Sequence, residues 1–399
     1  MINKWIFGIS LGIIFYNYLG YGLTLLIIIR LKKIFNPNST KEPCSKTEQD
    51  TPPVTLVIAA YNEANILRTK IKNCLEIDYP KEKLTILFVI DGSTDNSEVI
   101  LKEFCPKISF INKPGRKGKS AALNHAMNYV RTPITIFCDA NTNLNKDAIK
   151  YLTAHYNDHT IGGVAGEKKV ISNEDMDETG FGEGLYWRYE SLLKKLDAEL
   201  YTVAGAAGEL FSIKTSLWQP LPENTILDDF IISSRINIKG FRIAYEPKAI
   251  ASEYPSSSIL DEKKRKTRIS AGGFQAMQTV SEIFNITKHP ILFFQFVSHR
   301  FLRWTLSPLC FPLLLISNII LIFTSNNIIY KVSLGLQLAF YLCAFLGYLL
   351  KRSRLNNQIL KICHYIVFMN ISVYLGFYQF LSKKQTVIWE KALRENMVI

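Results

Sequence analysis

Apolar positions along this chain fall into two regimes. Long unbroken runs sit near the ends, and between them short runs alternate with mixed stretches. Residues 5–29 form the first long run, with the about 20 apolar positions that a bilayer crossing needs. Three more follow at 305–323, 328–350 and 362–381, while nothing between Leu31 and Pro290 is comparably apolar. The pattern predicts a membrane anchor over 1–30, a linker over 31–53 and a water-soluble domain over 54–290. An interfacial amphipathic helix over 291–304, three C-terminal spans over 305–381 and a basic tail over 382–399 complete it. The first run lacks an obvious small-residue cleavage site and reads as a retained anchor.

Within the soluble part, β-branched apolar runs at 54–60, 84–90, 108–111 and 134–138 read as strands. Helical patterns follow the first, ending near Glu76, and begin again near Asp95 and Lys119. This alternation predicts an α/β domain with a doubly wound sheet. The second half is more mixed, with helices near 182–200 and 229–239 and strands near 210–213 and 241–245. Pro37, Pro43, Pro52 and Pro53 mark the linker.

Charge refines this picture. The formal net charge is +13, which suits anionic headgroups and an anionic substrate. Much of it flanks the spans and no nucleic-acid motif occurs, so nucleic acid is not an expected partner. Arg30, Lys32 and Lys33 after the first span, and Lys351, Arg352 and Arg354 between the last two, predict a multi-pass protein of the inner or plasma membrane with its domain in the cytoplasm. Four full crossings put the tail outside, although it carries Lys383, Lys384, Lys391 and Arg394; the charge bias leaves that conflict open. The seven cysteines form no Cys-x-x-Cys, which argues against a disulfide framework or a zinc site. Arg300 and Arg303 stand among Phe293, Phe294, Phe296, Phe301 and Trp304, and are expected to snorkel at headgroup level.

Candidate chemistry clusters at the ends of the short runs. Tyr61 and Glu63 follow the first strand, where they suit either a nucleobase or a helix start. Asp91 ends the second run and opens Asp91-Gly92-Ser93-Thr94-Asp95, a turn in which Ser93 and Asp95 are also natural caps. Arg116, Lys117 and Lys119 surround Gly118 at a helix start, a ready site for an anion such as a diphosphate. Asp139 and Asn141 end the fourth run and offer oxygen ligands of the kind Mg²⁺ and Mn²⁺ prefer. Asp228-Asp229 opens a helix, where the dipole favours acids and where one acid can serve as a general base.

Taken in order, these stations resemble the family 2 glycosyltransferases of GT-A fold, over about 54–268. The arrangement is most similar to the membrane-bound group that includes hyaluronan, chitin and cellulose synthases. The resemblance implies that Tyr61, Glu63 and Asp91 face the base, expected to be uracil, and that Lys117 and Lys119 lie near the diphosphate or ribose. It places Asp139 at the metal–diphosphate, with Asn141 in place of the second acid of the usual Asp-x-Asp. Asp229 matches the base and Asp228 the acid before it, while Gly208 and Trp187 fall in the acceptor region. Mg²⁺ or Mn²⁺ is the implied cofactor. A nucleotide-sugar donor, a saccharide or lipid-linked acceptor, and the bilayer are the implied partners, with an oligomer or export partner to complete a pore. Polymerising relatives carry Gln-x-x-Arg-Trp about 35–40 residues after the base. That spacing lands on Arg265-Lys266-Thr267-Arg268-Ile269, which keeps only Arg268, the expected diphosphate ligand. Arg300-Phe301-Leu302-Arg303-Trp304 falls too late in the chain. The missing Trp leaves two products open, a polysaccharide or a single sugar on a lipid-linked acceptor. A non-catalytic subunit would lack the acids that are present.

Overall fold

The N-terminal apolar run is one helix, Ile2–Phe35: α1 (Ile2–Phe15) passes through a π turn at Tyr16–Gly20 into α2 (Tyr21–Phe35). The computed structural model describes residues 1–35, 51–113, 115–171, 178–254, 259–350 and 357–383. Most of the expected linker (36–50), the cluster Lys351, Arg352 and Arg354, and tail residues 384–399 lie outside the described residues.

Strand–helix alternation then runs through β1 (Val54–Ala60), α3 (Ala64–Leu75), β2 (Leu84–Asp91), α4 (Ser97–Glu103), β3 (Ser109–Lys113), α5 (Lys119–Met127) and β4 (Ile134–Asp139). β2 and β4 flank β1 in parallel, and β3 pairs in parallel with β2. Leu56, Ile58, Phe88 and Ile136 enter one core, while Val57, Leu87, Val89 and Phe137 enter another. Burial on both faces is why these strands read as unbroken apolar runs. In register, Ala59 lies opposite Asp139 and Ala60 opposite Ile90. Two acidic stations thus end the strands on either side of β1, at the edge where α/β sheets bind ligands.

The second half contains β5 (Asn143–Leu144), α6 (Ala148–Ala154), β6 (Ile161–Val170), α7 (Glu178–Leu200), β7 (Leu210–Lys214), α8 (Asp228–Ile238) and β8 (Arg242–Glu253). The sheet order is β3-β2-β1-β4-β7-β6-β8-β5. β7 runs antiparallel to both β4 and β6, so the sheet is mixed rather than doubly wound throughout. β6 carries no strand signature in the sequence, and the reason is its glycines. A Cβ on Gly162 would lie 2.6 Å from Ile236 Cγ2, and one on Gly166 2.8 Å from the Ala249 carbonyl. Close approach demands glycine there and erases the β-branched signature.

α9 (Ile259–Thr279) leads to α10 (Pro290–Phe296), a π turn at Val297–Phe301 and α11 (Leu302–Trp304). Three long apolar helices follow, α12 (Leu306–Thr324), α13 (Ile328–Leu349) and α14 (Gln358–Leu381), giving four helices among the described residues that are long and apolar enough to cross a membrane. α9 lies along α14 so closely that a Cβ on Gly376 would meet Ser270 Cβ at 2.5 Å and the Thr267 carbonyl at 2.8 Å. The expectation for Arg300 and Arg303 is corrected. Both pair at 2.8 Å with Glu190 of α7, which is fully buried, instead of reaching out to headgroups. His299 Nδ1 lies 2.6 Å from Asp197, which also accepts a hydrogen bond from Tyr21 of α2. Buried carboxylates need such partners, and these dock the 290–304 segment and α2 onto α7.

Candidate active site

One side of the site is assembled from three turns. Asn62 takes a positive φ of 52°, and two bonds hold it: its N–H donates to Ser93 Oγ at 2.9 Å, and Thr94 N–H donates to its Oδ1 at 2.8 Å. Asp95 accepts from the Ala64 N–H at 3.0 Å, capping α3 from a neighbouring loop, and also from Ser97 N–H at 3.0 Å. Asp91 is 1% exposed, and its two oxygens accept the N–H groups of Lys117 at 3.0 Å and Gly118 at 2.7 Å. Its carboxylate shapes the basic turn from below. Gly92 makes that contact feasible, since a Cβ there would lie 2.7 Å from Gly115 C. Arg116 lies 3.7 Å from the centroid of the Tyr61 ring, a cation–π stack absent from the sequence reading. Lys117 gives its backbone to Asp91 while its side chain is exposed.

Lys119 is the lysine that enters the acids. Its ammonium lies 2.8 Å from Asp139 Oδ1 and 3.3 Å from Asp228 Oδ2. Burial opposes its charge, but Asp139 and then Asp228 override this and raise its pKa. A Cβ on Gly208 would stand 3.3 Å from Asp229 Oδ2 and 3.6 Å from the Lys119 ammonium, so glycine keeps this space clear. Arg268, on α9, feels Asp228 most strongly among these acids, then Asp139 and Asp229, while burial lowers its pKa.

Burial first, and Asp228 second, push the Asp229 carboxyl up to about 7, with Lys119 opposing. Asp229 Oδ1 accepts the Phe230 N–H at 2.8 Å. The loop before these acids is gripped from two sides. Asn124 of α5 exchanges two hydrogen bonds of 2.8 Å with Leu221, and Ser120 donates to the Thr225 carbonyl at 3.0 Å. From α9, Gln275 accepts from Ile226 N–H at 3.1 Å and donates to the Asn224 carbonyl at 2.8 Å. The sequence reading had no role for Gln275; its only signal was a polar residue in an otherwise small, apolar helix face. Trp304 sits under Phe230, ring centroids 5.7 Å apart, and against Gly273. The late Trp304 thus packs beneath α8, while Arg303 beside it pairs with Glu190.

Asp139 and Asn141 supply oxygen donors at the end of β4. Among the described residues no three His, Cys, Asp or Glu side chains group as a metal cluster. This small all-oxygen set fits a divalent cation whose remaining ligands are phosphate oxygens. The structure therefore brings together Asp139, Asp228, Asp229, Lys119, Gly208 and Arg268, and separately Tyr61, Arg116 and the Asp91-held turn. Glu63 stands just before α3, and Trp187 lies on α7 with its ring centroid 4.5 Å from the Lys168 ammonium.

Residues 55–217 match the family model Glycosyl transferase family 2. This match covers less than half of the chain and marks a family 2 glycosyltransferase domain within it. Among curated proteins it is similar to the probable glycosyltransferase YdaM of Bacillus subtilis (strain 168), 26% identical over 267 residues, 61% of each chain. It is also similar to the poly-beta-1,6-N-acetyl-D-glucosamine synthase of Staphylococcus aureus (strain MSSA476), 24% identical over 237 residues, 56% of this chain and 55% of that one. These matches span less than two thirds of either relative's length. Among solved structures, the mannosyltransferase PcManGT from Pyrobaculum calidifontis, in complex with GDP-Man and Mn²⁺, superposes with a TM-score of 0.67 at 18% identity. That match covers 95% of this chain and 99% of the other, and it shows a GT-A-like α/β fold.

Proposed function

We propose that this chain is an inverting glycosyltransferase that moves a sugar from a nucleoside-diphosphate sugar to a saccharide acceptor at the membrane, in exopolysaccharide or capsule synthesis. One observation carries the reading. Acids and cations from four distant parts of the chain, Asp139, Asp228, Asp229, Lys119 and Arg268, meet at the carboxyl edge of the parallel strands.

Asp229 takes the proton of the attacking hydroxyl, and its raised pKa suits a base working near neutrality. The hydroxyl oxygen bonds to the anomeric carbon as the bond to the diphosphate oxygen breaks. The electron pair leaves with the nucleoside diphosphate, where Lys119 and Arg268 meet the developing charge. Tyr61, Glu63, Asp91 and the Lys117 turn hold the nucleoside end. Asp139 and Asn141 would hold Mg²⁺ or Mn²⁺, which supplies positive charge to the diphosphate when bound. The Mn²⁺ and GDP-Man of the similar mannosyltransferase support this assignment. UDP-linked donors follow from the resemblance, and a screen of UDP- and GDP-linked sugars for released nucleoside diphosphate identifies the donor.

Asp229→Asn is expected to lower transfer by about 10²–10⁴-fold while nucleoside-diphosphate binding persists. Near-normal turnover in that variant would refute the assignment.

A further inference from the structure

Beyond the acids, a second cluster leads toward the membrane. Glu209 follows Gly208 and pairs with Lys168 at 2.7 Å, and Lys168 also pairs with Glu253. Three ammonium groups surround the aromatic pair of α7. Lys168 lies 4.5 Å and Lys194 5.1 Å from the centroid of Trp187, and Lys266 lies 4.6 Å from that of Tyr186.

These cations are unequally matched. Lys168 has two carboxylates, whereas Lys266 shares Glu262, at 3.6 Å, with Arg265 at 2.9 Å. Lys194 is 1% exposed and has no hydrogen-bond partner among the described residues. The carboxylates whose charge reaches it are bonded elsewhere: Glu190 to Arg300 and Arg303, Glu209 to Lys168, and Glu167 to Ser191 and Tyr245. A buried ammonium without an acceptor is costly, so Lys194 is placed for oxygen atoms from outside the chain.

The far side of the aromatic pair meets the membrane part. Tyr186 and Tyr365 of α14 have ring centroids 6.4 Å apart, and α9, which carries Lys266, runs along the same span. The cluster lies between the base and a membrane helix.

We propose that Lys194 and Lys266, beside Tyr186 and Trp187, bind the phosphate of a lipid-linked saccharide acceptor. Its sugar hydroxyl is presented to Asp229 and its lipid lies along α14. The acceptor role rests on the glycosyl-transfer reading above; phosphate recognition by the two lysines does not. Charge-assisted bonds from two ammonium groups favour a phosphate over a neutral hydroxyl.

The test uses the full chain in phosphatidylcholine nanodiscs and equilibrium binding of radiolabelled farnesyl phosphate, with farnesol and inorganic phosphate as competitors. Saturable binding is expected, weakened about tenfold or more by Lys194→Met and largely restored by Lys194→Arg. Farnesol should compete poorly, and inorganic phosphate only at much higher concentration than unlabelled farnesyl phosphate. Lys194→Met should leave the melting temperature unchanged or higher, because it removes an unpaired buried charge; a fall in melting temperature would mean a structural role and overturn the site. Binding unchanged in Lys194→Met, or equal competition by farnesol, would also overturn it. Inorganic phosphate competing as well as farnesyl phosphate would keep the phosphate site and overturn the lipid source. Nucleoside-diphosphate binding, measured in parallel, fails separately if the donor reading is wrong.

Discussion

Lys119 stands among three acids, and its removal should be felt in both rate and pH dependence. Lys119→Met is expected to lower kcat by about 10²–10³-fold, as for loss of a preorganised charge at a leaving group. It also removes the group that lowers the Asp229 pKa. The acid limb of kcat/KM, expected near pH 7 in the wild type because the base must be ionised, should therefore move to higher pH in the variant. The same shift has a stability consequence. A carboxyl raised from about 4 to about 7 on folding contributes stability below the lower value and loses it as pH rises through the upper one. Asp229→Asn should accordingly raise the melting temperature at pH 8 and not at pH 4, read by thermal unfolding at the two pH values. The acids were legible because an Asp that ends an apolar strand is conspicuous. Which lysine enters them was not: Lys117 and Lys119 differ only by their places around Gly118. Positive φ values at Gly115 and Gly118, 76° and 94°, turn one side chain out and the other in.

α8 carries Asp228 and Asp229, and its position depends on neighbours far along the chain. Phe230 rests on Trp304, which lies where a Cβ on Gly273 would come within 2.9 Å of its ring. Gly273→Val should push Trp304 and Phe230 and lower kcat more than it raises KM, checked by steady-state kinetics on folded protein. Gln275→Ala should cost about 1–3 kcal/mol of stability, because it leaves the Ile226 N–H and the Asn224 carbonyl unbonded. Elements with one strong period were readable from sequence, as β1, β2 and β4 show. β6 was not, since its glycines serve close packing, and β8 runs to Glu253 instead of ending near Tyr245 because its polar half pairs with β6.

At the scale of the whole molecule, buried charge joins the α/β domain to the long apolar helices. Glu190 holds Arg300 and Arg303, and Asp197 holds His299 and Tyr21. Glu190→Gln breaks the first set and leaves two arginines unmatched; it should cost about 3–5 kcal/mol, measured as thermal stability in detergent. The long apolar helices were legible because length and apolarity suffice to mark them. This docking was not, because its partners lie more than 100 residues apart and leave no local pattern.

The seam between α9 and α14 fixes one more property. Gly376 touches the backbone at Thr267, the residue before Arg268, with no space for a side chain. Arg268 is thereby tied at a set height to α14, a helix apolar enough to cross a membrane. With α14 in a bilayer, the site would be held at constant altitude above it, and an acceptor would have to reach that level.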